Sequence, residues 1–296
     1  MIRFGIDFGG TKIEAAALDA TGQFVARVRK PNPGNYKDAL DVVAELVKDA
    51  EAMAGATCAR LGVGIPGSIS PRSGLIRNAN STYLNGQRFG EDLSQRLARA
   101  VRLANDANCL ALSEAADGAG SGQRVVFAAI LGTGCGGGVV VDGAIVEGRN
   151  GVAGEWGHSP LPWPKPEEYP GHDCWCGRKG CLETWIAGPS FSRDAGFATG
   201  QATMEAVTRG DPSALAALDR YVDRLSRALA VVCDLIDPDV IVLGGGMSNV
   251  DALYDRLPAA IAPHVFSDIF ETSVKKAVHG DSSGVRGAVW LWPSES

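Results

Sequence analysis

The sequence predicts an α/β protein built from two related α/β domains with a cleft between them. Three observations carry that prediction. Strand-like and helix-like segments alternate along the chain. A pattern of strand, glycine- and threonine-bearing turn, strand, turn, strand occurs twice, near residues 2–29 and 125–147. Glycine-rich turns follow strands at three places, Gly9-Gly10, 132–138 and 244–246, and such turns would face the cleft.

In order, Ile2–Asp7 reads as a buried strand, Ile13–Leu18 as a second and Gln23–Arg29 as a third, with a turn at 19–22. Two adjacent hairpins make an antiparallel meander. A helix follows over about 36–53, where Leu40, Val43, Leu46 and Val47 keep helical spacing. Leu61–Ile65 is the next strand, and 68–87 is loop-rich. A helix near 90–99 leads to a strand at 101–104. Asn105-Asp106-Ala107 then opens a helix to about 116. The second meander is predicted at 125–131, 139–141 and 144–147. Pro160–Pro166 is a Pro-rich insertion. A long helix over 212–236 carries one apolar stripe, Leu215, Leu218, Val222, Leu225, Leu229, Val232 and Ile236. A strand at 239–243, a helix from about Ser248, a strand at 274–278 and a final helix near 285–291 close the chain. The domains are expected at 1–118 and 119–283, with a C-terminal helix at 284–296 joined to the first.

Composition narrows the function. The 296 residues carry a formal charge of -6 and no dense Lys/Arg run, which argues against a nucleic-acid or anionic-membrane partner. No apolar run approaches the roughly 20 residues of a membrane-spanning helix. The first residues show no charged segment, long apolar stretch or cleavage site, so no secretory signal is expected and cytoplasm is the expected location. Seven cysteines in such a chain suggest reduced thiols and metal binding over a disulfide framework.

Five stretches carry candidate chemistry. In D-F-G-G-T-K (7–12), a strand delivers Asp7. Gly9 and Gly10 let backbone N–H groups approach an anion, and Thr11 and Lys12 add a hydroxyl and a charge. An ordinary hairpin turn is the other reading, and the P-loop spacing is absent. L-G-T-G-C-G-G-G (131–138) has five glycines in seven positions. They would weaken a plain hairpin and suit a backbone-lined phosphate site, with Cys135 as a small filler. G-G-G at 244–246 places N–H donors and a helix dipole at a strand end. Asn105-Asp106 at a strand-to-helix junction suits an N-cap. By itself the motif favours that cap reading over the functional one, a general base, Asp106, with Asn105 orienting a substrate. Finally, G-E-W-G-H (154–158) and C-W-C-G-R-K-G-C-L-E (174–183) supply Cys174, Cys176, Cys181 and a histidine, a structural zinc set. His172 is cramped against Cys174, so His158 is the expected fourth ligand. His264 and His279 have no ligand-like neighbours. Glu155 and Glu183 lie in the same stretch, and a structural zinc site does not need them.

Together these motifs, with G-I-P-G, resemble the ROK family of sugar kinases and sugar-responsive repressors over essentially the whole chain. G-S-I-S-P, N-A-N-S-T-Y-L-N-G, G-H-S-P-L-P-W and H-G-D-S-S-G-V-R-G-A-V-W-L-W-P make it most similar to the bacterial fructokinases that also accept mannose. The resemblance implies a duplicated actin/hexokinase-like (ribonuclease H-like) fold and a homodimer. It implies ATP held by Gly5, Asp7, Gly9, Gly10, Thr11, Lys12, Gly132, Thr133, Gly134, Cys135, Gly244, Gly245 and Gly246, with Asp7 near Mg2+. It makes Asp106 the base, and Gly67, Asn80, Asn105, Asp106, Glu155, His158 and Glu183 the sugar lining. Zn2+ would be structural, and His158 would also face the sugar. The implied reaction is phosphorylation of a hexose at its 6-hydroxyl, fructose first and mannose second, with a glucose or N-acetylglucosamine kinase as the alternative. A sugar-sensing regulator is the lesser alternative. Family repressors carry a helix-turn-helix before the first strand, and a strand starting at Ile2 leaves no room for one.

Overall fold

The computed structural model describes residues 2–292. These divide into two compact units, one of residues 2–121, 143–153 and 279–292, the other of 122–142 and 154–278. Segment 143–153, expected with the second domain, therefore belongs to the first unit. Residues 293–296 of the expected C-terminal helix lie outside the described residues.

In the first unit, β1 (Arg3–Phe8), β2 (Lys12–Leu18) and β3 (Phe24–Pro31) form the meander. Asp7 stands opposite Glu14, and Phe8 opposite Ile13. Helix α1 (Tyr36–Ala54) starts where the Asn35 side chain accepts the Asp38 N–H and stops at Gly55, φ 61°. Next come β4 (Arg60–Ile65), a small hairpin β5 (Ser68–Ile69) and β6 (Ile76–Arg77), then α2 (Phe89–Leu97), β7 (Ala100–Asn105) and α3 (Asp106–Asp117). The sheet order is β3-β2-β1-β4-β7, with β4 parallel to both neighbours. Val43, Leu46 and Val47 of α1 pack on the sheet with Ile6, Phe8, Leu61 and Phe89. That burial is the physical content of the helical spacing seen in the sequence.

The second unit holds β8 (Val125–Leu131) and β9 (Cys135–Val141); β10 (Ala144–Ile145) belongs to the first. Glycines 136–138, expected in a turn, lie inside β9, which pairs with β8 from Cys135 onward. Three short helices that the sequence did not declare follow the Pro-rich insertion: α4 (Glu183–Ile186), α5 (Gly188–Ala195) and α6 (Gly200–Thr208). None is long enough to show a full apolar period. Helix α7 (Pro212–Ile236) matches its predicted limits, because Asp211 caps it and Pro212 occupies its first position. Leu215 of the expected stripe is 41% exposed, and Ala214, Ala217 and Tyr221 complete the buried face instead. After β11 (Val240–Gly244), a 3-10 turn over 246–249 replaces the expected helix start, and α8 (Ala252–Ile261) begins later. Strand β12 (Ser273–Lys276) and helix α9 (Ser283–Trp290), the latter in the first unit, complete the chain. Within the second unit the order β9-β8-β11-β12 repeats β2-β1-β4-β7 position for position. No helix among the described residues is long and apolar enough to cross a membrane.

Helix α9 lies almost on the backbone of the first sheet. A Cβ at Gly62 would sit 1.8 Å from the Ala288 carbonyl oxygen, and one at Gly5 would sit 2.5 Å from the Val289 nitrogen. Both atoms are backbone and cannot swing away. Gly62→Ala is therefore expected to lower the urea midpoint with little change in slope, costing about 3 kcal/mol. A midpoint equal to the parent's would refute this packing argument.

Candidate active site

The first unit presents two carboxylates. Asp7 is the penultimate residue of β1, just before the turn at 9–11, which is braced from behind. The Asn32 amide donates to the Gly9 carbonyl at 2.8 Å, and the Tyr83 hydroxyl donates to Asn32 Oδ1. Gly10 and Thr11 are exposed at the tip, and Lys12 starts β2. Asp7 is half-buried against the first turn of α9, where a Cβ at Gly284 would come within 2.8 Å of the carboxyl carbon. Burial pushes its pKa up to about 6, helped by the charges of Glu14 and Asp106 and opposed by Lys12. Glu14 is buried and held by Arg27 and Arg29. Gly5, expected at the nucleotide, lies mid-strand, and its missing side chain makes room for α9.

Asn105 and Asp106 separate the two readings of their motif. The Asn105 side chain accepts the Asn108 N–H at 2.8 Å and is the N-cap of α3. Asp106 Oδ1 accepts the adjacent Ala107 N–H, also at 2.8 Å, and the residue is exposed. The protein crowded around it raises its pKa, and that Ala107 bond opposes the rise. Gly67 has φ 77°, and a Cβ there would meet the Arg77 carbonyl at 2.5 Å. Asn80 is displayed on the next loop, which the Asn85 side chain closes by bonding both the N–H and the carbonyl of Ala79, at 2.9 and 3.0 Å. Asn32, Tyr83 and Asn85 were not singled out from the sequence. Their work is long-range bracing, which leaves no local signature.

The second unit carries the other candidates. The turn between β8 and β9 is only Gly132-Thr133-Gly134, closed by the Gly132 N–H donating to the Gly134 carbonyl. The Cys135 thiol is buried, and its N–H is already engaged, donating to Glu183 Oε2 at 3.0 Å. Of the triplet 244–246, Gly244 is buried at the end of β11, and a Cβ at Gly245 would lie 2.6 Å from the Leu131 carbonyl. Gly246 lines a cavity of about 960 Å³ with Gly132, Thr133, Gly188, Met204, Met247 and Val250. Thioether, aliphatic and glycine surfaces there suit a flat heterocycle. The α5 and α6 residues were missed because the sequence marks those helices only by Pro189 and the Thr199 cap.

Glu155 and His158 flank the 3-10 turn Trp156–His158. Glu155 is exposed, and the Trp156 indole N–H anchors the turn by donating to the Gly136 carbonyl at 2.8 Å. The ligand atoms of His158, Cys174, Cys176 and Cys181 all lie within 4.8 Å of one another. Cys176 and Cys181 sulfurs are 3.6 Å apart, as are Cys174 Sγ and His158 Nδ1. A tetrahedral zinc with Zn–S near 2.3 Å sets an S···S edge of roughly 3.8 Å, so this donor set fits. With Nδ1 turned to the cysteines, Nε2 points away from them. His172 is outside the set and stacks near Trp185. Cys58, Cys109, Cys135 and Cys233 are buried singly.

Comparison with known proteins places the chain. The ROK family model matches residues 3–295. The chain is 41% identical over 299 residues to the N-acetyl-D-glucosamine kinase of Pectobacterium atrosepticum, covering 97% of this chain and 98% of that one. Among solved structures it is similar to the ROK hexokinase from Thermus thermophilus, with TM-score 0.88, 30% identity and coverage of 98% and 97%. It is also similar to a ROK family glucokinase from Streptomyces griseus in complex with glucose and AMPPNP, with TM-score 0.78, 26% identity and coverage of 98% and 99%. The fold is thus the hexokinase-like duplicated α/β class expected from the sequence.

Two outcomes follow. Because Asp7 binds its proton more tightly folded than unfolded, wild-type stability is fully present below pH 3.8 and is lost as pH rises through about 6. Asp7→Asn is therefore expected to be the more stable protein above pH 6, by at most about 3 kcal/mol, with the gap closing toward pH 4. A gap independent of pH in parallel urea titrations would contradict the assignment. Metal analysis of protein purified under reducing conditions should find about one zinc per chain, and Cys176→Ser should lower it. Protein without metal would defeat the ligand assignment.

Proposed function

The chain belongs to the ROK family, and on that premise we propose that it is an ATP-dependent kinase acting on the 6-hydroxyl of a hexose. The observation that carries this reading is the division of labour at the start of α3. Asn105 takes the capping duty, so Asp106 stays exposed at a helix N-terminus, its carboxylate bonded to neighbouring backbone N–H and to no other side chain among the described residues. A carboxylate so placed can accept the proton of an attacking hydroxyl, and its raised pKa brings it nearer to a working base. The turn at 9–11 suits phosphate oxygens through its backbone N–H groups, as do Thr133 and Gly134, the Gly132 N–H being already bonded to the Gly134 carbonyl. The cavity bordered by Met204, Gly246 and Met247 suits the adenine ring. Mg2+ bound beside the phosphates supplies charge neutralisation, and Asp7 is the residue to face it. In this reading Asn80, Glu155 and His158 Nε2 read the sugar's hydroxyls, while the knuckle's zinc set holds His158 in place.

N-acetyl-D-glucosamine is the first sugar to test, because the full-length relative at 41% identity carries that activity in its name. This replaces the expectation of fructose first. The N-A-N-S-T-Y-L-N-G loop keeps fructose, with mannose, as the second reading. Its braced tip displays Asn80, and one hydroxyl's orientation decides such discrimination.

A coupled ADP-release assay with Mg2+-ATP across N-acetylglucosamine, fructose, mannose and glucose tests the proposal. At least one sugar should turn over, and Asp106→Ala should lose roughly 10²–10⁴-fold in kcat. Release of ADP with none of the four sinks the kinase reading. Near-normal turnover by the variant removes Asp106 from its role.

A further inference from the structure

We propose that Glu183 is a positioning residue for the phosphate turn, tying residues 132–134 to the Cys/His knuckle. The inference rests on the kinase reading. It assigns Glu183 work apart from the sugar contact that its motif implies.

Two N–H donors from different parts of the second unit converge on this one carboxylate. Oε2 accepts the backbone N–H of Cys135, the first residue after the turn, at 3.0 Å. Oε1 accepts the indole N–H of Trp175 at 2.7 Å. Trp175 sits between the knuckle residues Cys174 and Cys176, and its ring meets His158 edge-on at 4.9 Å. Its side chain is otherwise 68% exposed, so packing alone does not hold it. The carboxylate is pressed against the turn itself, since a Cβ at Gly134 would lie 2.8 Å from Oε2.

The same short segment grips the other rim of the turn. The Gly188 N–H donates to the Gly132 carbonyl at 2.8 Å. The Ser190 hydroxyl donates to the Glu183 carbonyl at 3.0 Å, closing segment 183–190 on itself. Residues 132–134 are therefore held from both ends by 183–190, whose first residue is tethered to the knuckle. A carboxylate suits this duty because both its oxygens are acceptors. A carboxamide would turn an N–H group toward one of the two donors. Both bonds go to a carboxylate, and the one from Trp175 is short at 2.7 Å, the kind that fixes geometry.

Nucleotide binding without sugar separates this role from a sugar contact. Wild-type protein, shown to release ADP with a hexose, is titrated with a non-hydrolysable ATP analogue and separately with adenosine, which lacks phosphates. Glu183→Gln is expected to weaken the analogue about tenfold and to leave adenosine unchanged, with zinc content at the parent level. Trp175→Phe keeps the carboxylate but removes the Oε1 donor. It should move the analogue's affinity in the same direction by about threefold, and it carries the test if Glu183→Gln fails to fold. Analogue affinity that is unchanged or tighter in both variants overturns the proposal, as does an equal loss for adenosine. Wild-type protein that neither binds the analogue nor releases ADP would instead refute the kinase reading.

Discussion

Contact between backbones, at distances that leave no space for a Cβ, is the constraint on which this structure depends. The 3-10 turn carrying Glu155 and His158 rests on β9 in this way. A Cβ at Gly157 would lie 1.9 Å from the Cys135 carbonyl oxygen, and one at Gly154 would lie 2.3 Å from that of Gly137. The first unit repeats the device where Gly287 of α9 meets Cys109 of α3, since a Cβ at Gly287 would lie 1.9 Å from the Cys109 carbonyl oxygen. Such contacts put polar backbone groups and the candidate side chains Glu155 and His158 where a normally spaced helix or loop could not reach. They also leave no slack, so side chains mounted on them keep their geometry.

The same rigidity lets the first unit hold a costly electrostatic arrangement. Asp7, Glu14 and Asp106 repel one another through a partly desolvated corner, and Lys12 offsets only part of that. Arg27 and Arg29 neutralise Glu14 from the solvent side, while Asp7 has only the partial offset of Lys12. A carboxylate in that condition destabilises the folded chain at neutral pH and is correspondingly ready for a cation. The strain sits where ligand charge would relieve it, the usual trade between stability and activity.

The knuckle shows how a structural metal set can shape a site without reacting. His158 belongs to the donor set through Nδ1, while Glu155 shares its 3-10 turn and Glu183 follows Cys181 by two residues. Glu183 reaches back to Cys135 through its carboxylate, and Trp175 fills the gap between the sulfur ligands and that contact. Fold staple and candidate site are thus parts of one covalent stretch.

Much of this was legible in the primary structure. The duplicated meander, the limits of α7, the Cys/His set and the Asp106 junction follow from local rules: strand alternation, an Asp-Pro helix start, chelate spacing and N-cap chemistry act within a few residues. What the motifs did not carry depends on residues far apart in the chain. Gly5 and Cys135 look like ligand contacts in a motif, but α9 occupies the space above one and Glu183 takes the N–H of the other. Helices α5 and α6 were too short for periodicity, yet they build the cavity beside Gly246. Which of two adjacent polar residues caps α3 and which stays exposed was set by side-chain rotamers in the folded chain. Sequence by itself determined the elements and the chemical inventory, because those rest on short-range propensity. Only the tertiary structure decided which donors are already used, because a hydrogen bond's partner is fixed by position in space.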